Sequence, residues 1–251
     1  MIEDIGEITE EAGATATRVL FRANVGMRSD YTSNARLSGD HGSGDVLWMP
    51  TLDFGMYAPL GRGFSVDLGV RAESVLYSRF DERSFIGYSA TATLDWRLRP
   101  NLPRIYVGAE PYRFDSLDTG DLLTQAIGLS TGTDWGYSFN GGSSLAFVGY
   151  SFTEYLADPS IDRRMAHRAV AGLAHQFSPR WTGQLFYAYQ FCDYENVSRE
   201  DSRHVLALSV IWQLRRNLFA TMSGTFVDND ATQRAASYQT VIGSLGLSWQ
   251  F

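Results

Sequence analysis

Hydrophobic and polar residues alternate along the C-terminal stretch from Val241 to Phe251. One face is apolar and ends in two aromatic residues; it consists of Val241, Gly243, Leu245, Leu247, Trp249 and Phe251. The other face is mostly small or polar and consists of Ile242, Ser244, Gly246, Ser248 and Gln250. A period of two is that of a β-strand, because successive side chains point to opposite faces. The stretch is also long enough for a tilted strand to cross a bilayer.

The same alternation recurs along the chain from Thr15 onward. It is clearest over 64–78, where Phe64, Val66, Leu68, Val70 and Ala72 alternate with Ser65, Asp67, Gly69, Arg71 and Glu73. It is poorest over 122–138 and 143–155, where the faces are hard to assign. Together with the C-terminal strand, the predicted strands number about twelve, an even number as bacterial barrels prefer. The others span 16–29, 46–58, 64–78, 85–98, 104–114, 122–138, 143–155, 166–177, 181–194, 203–215 and 218–228.

Short and long connections alternate between these segments. The connections after the even strands are short and rich in Gly, Pro and Asn, as in the turns at 59–63 and 140–142. Those after the odd strands are mostly longer and polar, as at 30–45 and 156–165. This parity sends short turns to one rim and longer loops to the other. A soluble Greek-key sandwich, which would bury the apolar faces in a core, has no reason to maintain it.

An aromatic C-terminal residue on such a strand resembles the outer-membrane β-barrel proteins of Gram-negative bacteria, whose last strand usually ends in Phe. The resemblance covers roughly 15–251 and rests on this pattern and on Phe251 rather than on a family signature. It implies an all-β fold, a transmembrane up-and-down antiparallel β-barrel of about 12 strands. Short turns would then be periplasmic, longer loops extracellular, and the protein would reside in the bacterial outer membrane.

Composition narrows the class of protein further. The chain has 251 residues, of which 44% are hydrophobic and 14% aromatic, and its formal net charge is −7. This charge and the lack of a basic stripe argue against nucleic-acid binding. No run approaches the roughly 18 apolar residues of a membrane helix. The single cysteine, Cys192, excludes an internal disulfide framework and a cysteine-based metal site. We expect neither a cofactor nor a bound metal.

The first residues differ in character from the rest. Residues 1–14 are acidic, with few apolar anchors, and we predict a mobile leader or linker before a barrel domain spanning 15–251. The start has neither the basic nor the apolar region of a signal peptide. An exported chain is therefore expected to be numbered from a mature or trimmed start.

Charged residues occupy the face opposite the apolar one and are predicted to point into the lumen. Asp53 is expected roughly opposite Asp67, and, depending on register, either Asp67 meets Arg97 or Arg71 meets Asp95. Such residues either fill a narrow lumen as a paired network or form a constriction that sorts solutes by charge, with a proton relay or metal site as the remaining alternative. The candidates are Arg22, Asp53, Asp67, Arg71, Glu73, Asp95, Arg97, Glu110 and Arg168, with Arg28 in the same inward set.

Tryptophans cluster beside the short turns. Trp96 and Trp212 lie just before such turns, Trp181 lies just after one, and Trp249 and Phe251 lie at the chain end. All five residues are predicted on the lipid face at the periplasmic interface, where aromatic belts form.

The histidines raise the alternative of an outer-membrane hydrolase. Barrels of this size resemble the outer-membrane phospholipase, which uses a Ser/His pair on its lipid-facing wall. His175 is predicted on the outer face but without a serine two residues away, while His204 has Ser202 nearby at the loop rim. Solvated rim histidines are the simpler interpretation. No phospholipase, omptin or lipid-A deacylase motif is present, so we predict that the protein is not an enzyme.

These features support three functional hypotheses. The first is a passive porin-like channel for small polar solutes, whose preference depends on the charged lumen. The second is a plugged structural barrel that assembles with a periplasmic or surface protein, with the acidic leader as a tether. The third is the hydrolase. The expected surroundings are outer-membrane lipids and lipopolysaccharide, whose phosphates or divalent cations the charged loops could bind.

Overall fold

Twelve antiparallel strands close into one barrel in the computed structural model, which describes residues 18–37, 42–99 and 101–251. Each strand pairs with its neighbours in sequence, and β12 pairs with β1 to close the ring. The strands are β1 (Leu20–Thr32), β2 (Asp45–Gly61), β3 (Phe64–Tyr77), β4 (Phe85–Trp96), β5 (Arg104–Ser116), β6 (Leu122–Phe139), β7 (Ser144–Asp158), β8 (Arg164–Ser178), β9 (Trp181–Tyr194), β10 (Arg199–Arg215), β11 (Leu218–Ala231) and β12 (Tyr238–Gln250).

The predicted all-β barrel is confirmed, strand number and up-and-down order included. The predicted leader, 1–14, lies outside the described residues. The connections after β2, β8 and β10 have two residues each, whereas the connection after β1 spans 33–44. Two connections depart from the predicted parity, and one of them is the connection after β9, 195–198, which is no longer than 140–143 after β6. Strand β4 ends at Trp96 rather than near 98, so the connection 97–103 is as long as 78–84 on the opposite rim.

Several strands extend further towards the loop rim than the sequence predicts. Strand β10 begins at Arg199 rather than near 203, because Arg199 and Glu200 pair with Tyr194 and Asp193 of β9. Strand β12 similarly begins at Tyr238, which pairs with Asn229. Both faces of these strand ends are polar. Backbone hydrogen bonds extend the strands there, although no alternation of hydrophobic and polar residues marks them in the sequence.

The weak alternation of β6 and β7 has a structural cause. Thr131 and Thr133 interrupt the outward face of β6 between Leu129 and Trp135, and the Thr131 hydroxyl donates to the Tyr106 carbonyl oxygen over 3.2 Å. In β7, by contrast, an apolar residue points inward: Phe147 pairs with Gly172 of β8. Such exceptions weaken the period of two without changing the strand.

The outer wall carries the apolar residues, as in a membrane barrel. Leu206, Leu208, Leu245 and Leu247 are 48%, 57%, 64% and 53% exposed. A water-soluble barrel would cover side chains of this size, whereas an apolar outer band is what lipid contacts in an outer-membrane barrel. No helix among the described residues is long and apolar enough to cross a membrane.

Candidate functional site: the lumenal cavity

The lumen contains a cavity of about 2520 Å³ that is open towards the short-turn rim. Its lining runs from the turn residues Arg62 and Leu102 inward to Asp30, Phe114 and Ile242. The wall is rich in charge, with nine arginines and seven carboxylates. All nine predicted lumen residues line it: Arg22, Asp53, Asp67, Arg71, Glu73, Asp95, Arg97, Glu110 and Arg168.

Two ion pairs connect the first three strands inside the cavity. The Arg22 guanidinium makes two bonds to the Asp67 carboxylate, of 2.7 and 2.8 Å. Strand β2 lies between these residues, and Gly55 provides the space, since a Cβ there would lie 2.5 Å from Arg22 Nε. Arg71 Nε donates to Asp53 Oδ1 over 2.5 Å, and the Asn24 amide donates to Asp53 Oδ2 over 3.3 Å.

A third group of charges centres on Arg104 of β5. Its guanidinium lies 3.1 Å from Asp95 Oδ1 on β4 and 2.6 Å from Asp134 Oδ2 on β6. Arg97 Nη2 approaches the other Asp134 oxygen at 3.5 Å. Arg104 also packs over the Tyr106 ring, with its Cζ 5.1 Å from the ring centroid. Arg104 therefore bridges two carboxylates that would otherwise repel each other, and Arg97 supplies the second positive charge.

The register corrects the predicted pairings. Asp53 lies opposite Arg71, and Asp67 lies opposite Tyr57, so the two carboxylates do not face each other. The expected alternatives, Asp67 with Arg97 or Arg71 with Asp95, do not form either, because Asp67 pairs with Arg22 and Asp95 with Arg104. The physical reason is the length of arginine, which reaches partners two strands away or diagonally along the wall.

The sequence prediction missed Arg104, Asp134 and Arg164, which also line the cavity. For Arg104 a signal was present, since alternation puts it on the same face as Tyr106 and Glu110. Asp134 lies on β6, where the poor alternation hid its direction. Arg164 is the first residue of β8 and preceded the predicted start of that strand at 166.

The two halves of the lumenal wall differ in charge. Inward residues of β1 to β6 include every carboxylate that lines the cavity. Across the lumen, β9, β11 and β12 contribute Gln184, Thr221, Ser223, Ser244 and Ser248. The paired charges of one half therefore face a half that carries hydroxyl groups and, on β8, Arg164 and Arg168, but no lining carboxylate.

Above the cavity, towards the loop rim, inward-facing side chains are packed. Leu47, Val75, Val227, Asn229 and Thr240 are each at most 5% exposed, and none of them lines the cavity. Towards the same rim, Asn34 and Ala35 after β1 are also buried, and the Arg83 guanidinium donates to the Ala35 carbonyl oxygen over 3.0 Å. Within the described residues, the lumen is thus wide at the short-turn side and closely packed at the loop side.

The predicted interface aromatics lie on the outer wall beside the short turns. Trp96, Trp181, Trp212 and Trp249 are 37–47% exposed and Phe251 is 70% exposed. Trp181 and Trp212 are directly paired and stack with ring centroids 5.0 Å apart. The sequence prediction did not include Trp135, which also lies near the short-turn rim. Its indole nitrogen donates to the Asn101 carbonyl oxygen over 3.0 Å.

The histidines named for the hydrolase alternative bond to neighbouring side chains, and His204 does not pair with Ser202. His204 Nδ1 is 2.6 Å from the Tyr187 hydroxyl, while Ser202 bonds to Tyr189, so Ser202 and His204 have different partners. His175 does meet a serine, on the neighbouring strand: Ser144 Oγ lies 2.8 Å from His175 Nδ1.

The Asn140 amide donates to the same Ser144 oxygen over 3.1 Å. Ser144 is only 4% exposed, which is unlike a nucleophile that must reach lipid. Through these bonds, Asn140, Ser144 and His175 connect the turn between β6 and β7 to the neighbouring strand β8. We interpret the group as structural.

These observations define the class: a transmembrane β-barrel of the outer-membrane, porin-like type, with a charged lumen. Residues 135–251, just under half of the chain, match the model of the family described as "Putative beta-barrel porin 2". No curated protein matches the sequence.

Solved structures show the same fold. An outer-membrane channel from Pseudomonas putida F1 superposes with a TM-score of 0.63 at 12% identity, covering 96% of this chain and 98% of that one. The outer-membrane channel DcaP of Acinetobacter baumannii superposes with a TM-score of 0.52 at 12% identity, covering 93% and 97%. The predicted outer-membrane β-barrel is thereby confirmed, and both of these neighbours in fold are described as outer-membrane channels.

Proposed function

We propose that this barrel is a passive channel for small polar solutes, whose preference is set by the arginines and carboxylates of the cavity. The cavity of about 2520 Å³ carries this proposal, since sixteen charged side chains line a wet space large enough for solutes. Rings of fixed charge sort solutes by sign in membrane pores. Most of these charges are paired, so removing one member of a pair should leave its partner's charge uncompensated and change the preference of the channel.

The test is conductance of the purified protein in planar bilayers, combined with the reversal potential in a KCl gradient. Arg104→Gln leaves Asp95 and Asp134 without their shared counter-charge, so we expect a shift of the reversal potential towards cations. Arg215→Gln removes an exposed arginine that does not line the cavity and should leave the selectivity unchanged. Absence of conductance from folded wild-type protein would contradict the proposal.

The packed layer at the loop side favours a second candidate, a plugged barrel that anchors or assembles with another component. Val227 is 1% exposed and lies in this layer. Val227→Ala should increase conductance if the layer limits the pore. A barrel that conducts neither as wild type nor as Val227→Ala, and that co-purifies with a stoichiometric partner, would favour the second function.

A further inference from the structure

Arginines on the two sides of the lumen differ in their partners. On β1 to β5, Arg22, Arg28, Arg71 and Arg104 each lie within 3.1 Å of a carboxylate oxygen. On β8 and β10, Arg164, Arg168 and Arg203 have no carboxylate within salt-bridge distance in the part of the chain that the structure describes. We call these three residues the arginine cluster. The remaining inward arginine there, Arg199, pairs with Asp201.

The strand register places no carboxylate directly opposite the cluster. Arg168 lies between Ser151 and Gln190 on the neighbouring strands. Arg203 lies on the far side of the same Gln190 and opposite Asn229. All of these directly opposite residues are neutral, and the nearby Asp201, two residues before Arg203 on β10, is paired with Arg199. Arg168 and Arg203 are therefore two strands, or about 10 Å, apart in one row across the wall.

Arg164 has neutral neighbours too, and they hold it in place. Its Cζ lies 4.2 Å from the Tyr155 ring centroid and 5.9 Å from that of Tyr194. Its Nη1 donates to the Asp162 carbonyl oxygen over 3.2 Å. A guanidinium stacked on aromatic rings keeps its in-plane donors available, and their fork matches carboxylate and phosphate oxygens.

Part of the cluster is enclosed and without a hydrogen-bond partner among the described residues. All three side chains are half-buried, and the Arg203 Nε is enclosed with no hydrogen-bond partner among the described residues. A buried charge without a counter-charge destabilises a fold. The chain as a whole has a formal net charge of −7, so the lack of a carboxylate beside these arginines does not follow from a shortage of acidic residues. An anion from solution would supply the missing counter-charge.

We propose that the arginine cluster is a binding site for small organic anions that carry a carboxylate or a phosphate group. Arg164 and Arg168 line the inner end of the cavity, so an anion that enters from the short-turn rim reaches them. Arg203 adds positive charge in the same row as Arg168, on the far side of Gln190. The site rests on the proposed function, because it gives the channel a preferred class of solute.

Calorimetric titration of the detergent-solubilised barrel tests the site without requiring conduction. The probes are two matched pairs: succinate with its neutral diamide, and glycerol 3-phosphate with glycerol. We expect binding of at least one anion and of neither neutral partner, with affinity falling as salt is added. The anion that binds more tightly identifies the head group. Binding of neither anion, or equal binding of a neutral partner, would overturn the proposal.

Arg168→Gln should weaken anion binding at least about tenfold, since a hydrogen bond to a charged group is lost. Arg99→Gln, which removes an exposed arginine at the cavity mouth, should weaken it much less. Heat-modifiable migration on gels checks that both variants fold. Equal losses from the two variants would contradict a localised site. Binding without conductance would instead refute the channel and leave the site standing.

Discussion

Arg22 on β1 bonds to Asp67 on β3 across the whole width of β2, through the space above Gly55. The pair is exposed to the cavity, with 61% of the Arg22 side chain accessible. Exposed ion pairs contribute only about 0–1 kcal/mol to stability. The relationship is therefore more important for the charge of the lumen than for the fold.

Gly55→Ala tests this relationship. The added Cβ would lie 2.5 Å from Arg22 Nε, so the flexible arginine must move and Asp67 loses its counter-charge. We expect a normally folded barrel whose reversal potential shifts towards cations. Gly224→Ala is the control, because its Cβ would meet nothing within 4 Å. An unchanged reversal potential in Gly55→Ala would contradict this prediction, because it would mean that Asp67 keeps its counter-charge.

Leu208 and Ser209 test which face contacts lipid. Leu208 is 57% exposed on the outer wall, whereas its neighbour Ser209 lines the cavity. Leu208→Arg should reduce the free energy of unfolding in lipid vesicles by about 2–4 kcal/mol, the cost of an arginine near the bilayer midplane. Ser209→Arg should cost much less, because the lumen is wet. Urea titration monitored by tryptophan fluorescence measures both.

If Ser209→Arg destabilised the barrel more than Leu208→Arg, the face that carries Leu208 would not be the one that contacts lipid. Wild-type protein that stays monodisperse in buffer without detergent would refute the membrane assignment altogether.

Trp181 and Trp212 offer a test of the aromatic belt. Their rings stack with an interplanar angle of 8°, and aromatic pairs contribute about 0.5–1.5 kcal/mol beyond their buried area. A double-mutant cycle with Trp181→Ala and Trp212→Ala should yield a coupling energy of this size. Trp181→Ala combined with Trp48→Ala should be additive, since distant sites act independently. A coupling energy near zero for the stacked pair would rule out the stabilising stack.

Ser144 separates a structural role from a catalytic one. Ser144→Ala removes its bonds to Asn140 and His175 and should lower the free energy of unfolding by about 0.5–1.5 kcal/mol for each bond. Ser143→Ala, in the same turn, loses one exposed bond and should cost less. We expect no lipid hydrolysis from the wild type. Hydrolysis that Ser144→Ala and His175→Ala both abolish would establish the enzyme instead.

The sequence by itself determined which residues face lipid and which face the lumen. The period of two assigns each side chain of a strand to one face, as the outward Leu245 and the inward Asp53 illustrate. It determined the number of strands for the same reason. It failed on the ends of β10 and β12 and on the direction of Asp134, because polar or mixed residues carry no alternation.

Only the tertiary structure decided which charges pair and which do not. Alternation fixes a direction but not the stagger between neighbouring strands, so the sequence could not exclude Asp67 with Arg97. A long arginine then reaches partners up to two strands away, as Arg22 reaches Asp67, whereas the residues directly opposite Arg168 are neutral. The packing of Val227 and its layer depends on residues from β2, β3, β11 and β12 together, and no single strand encodes it.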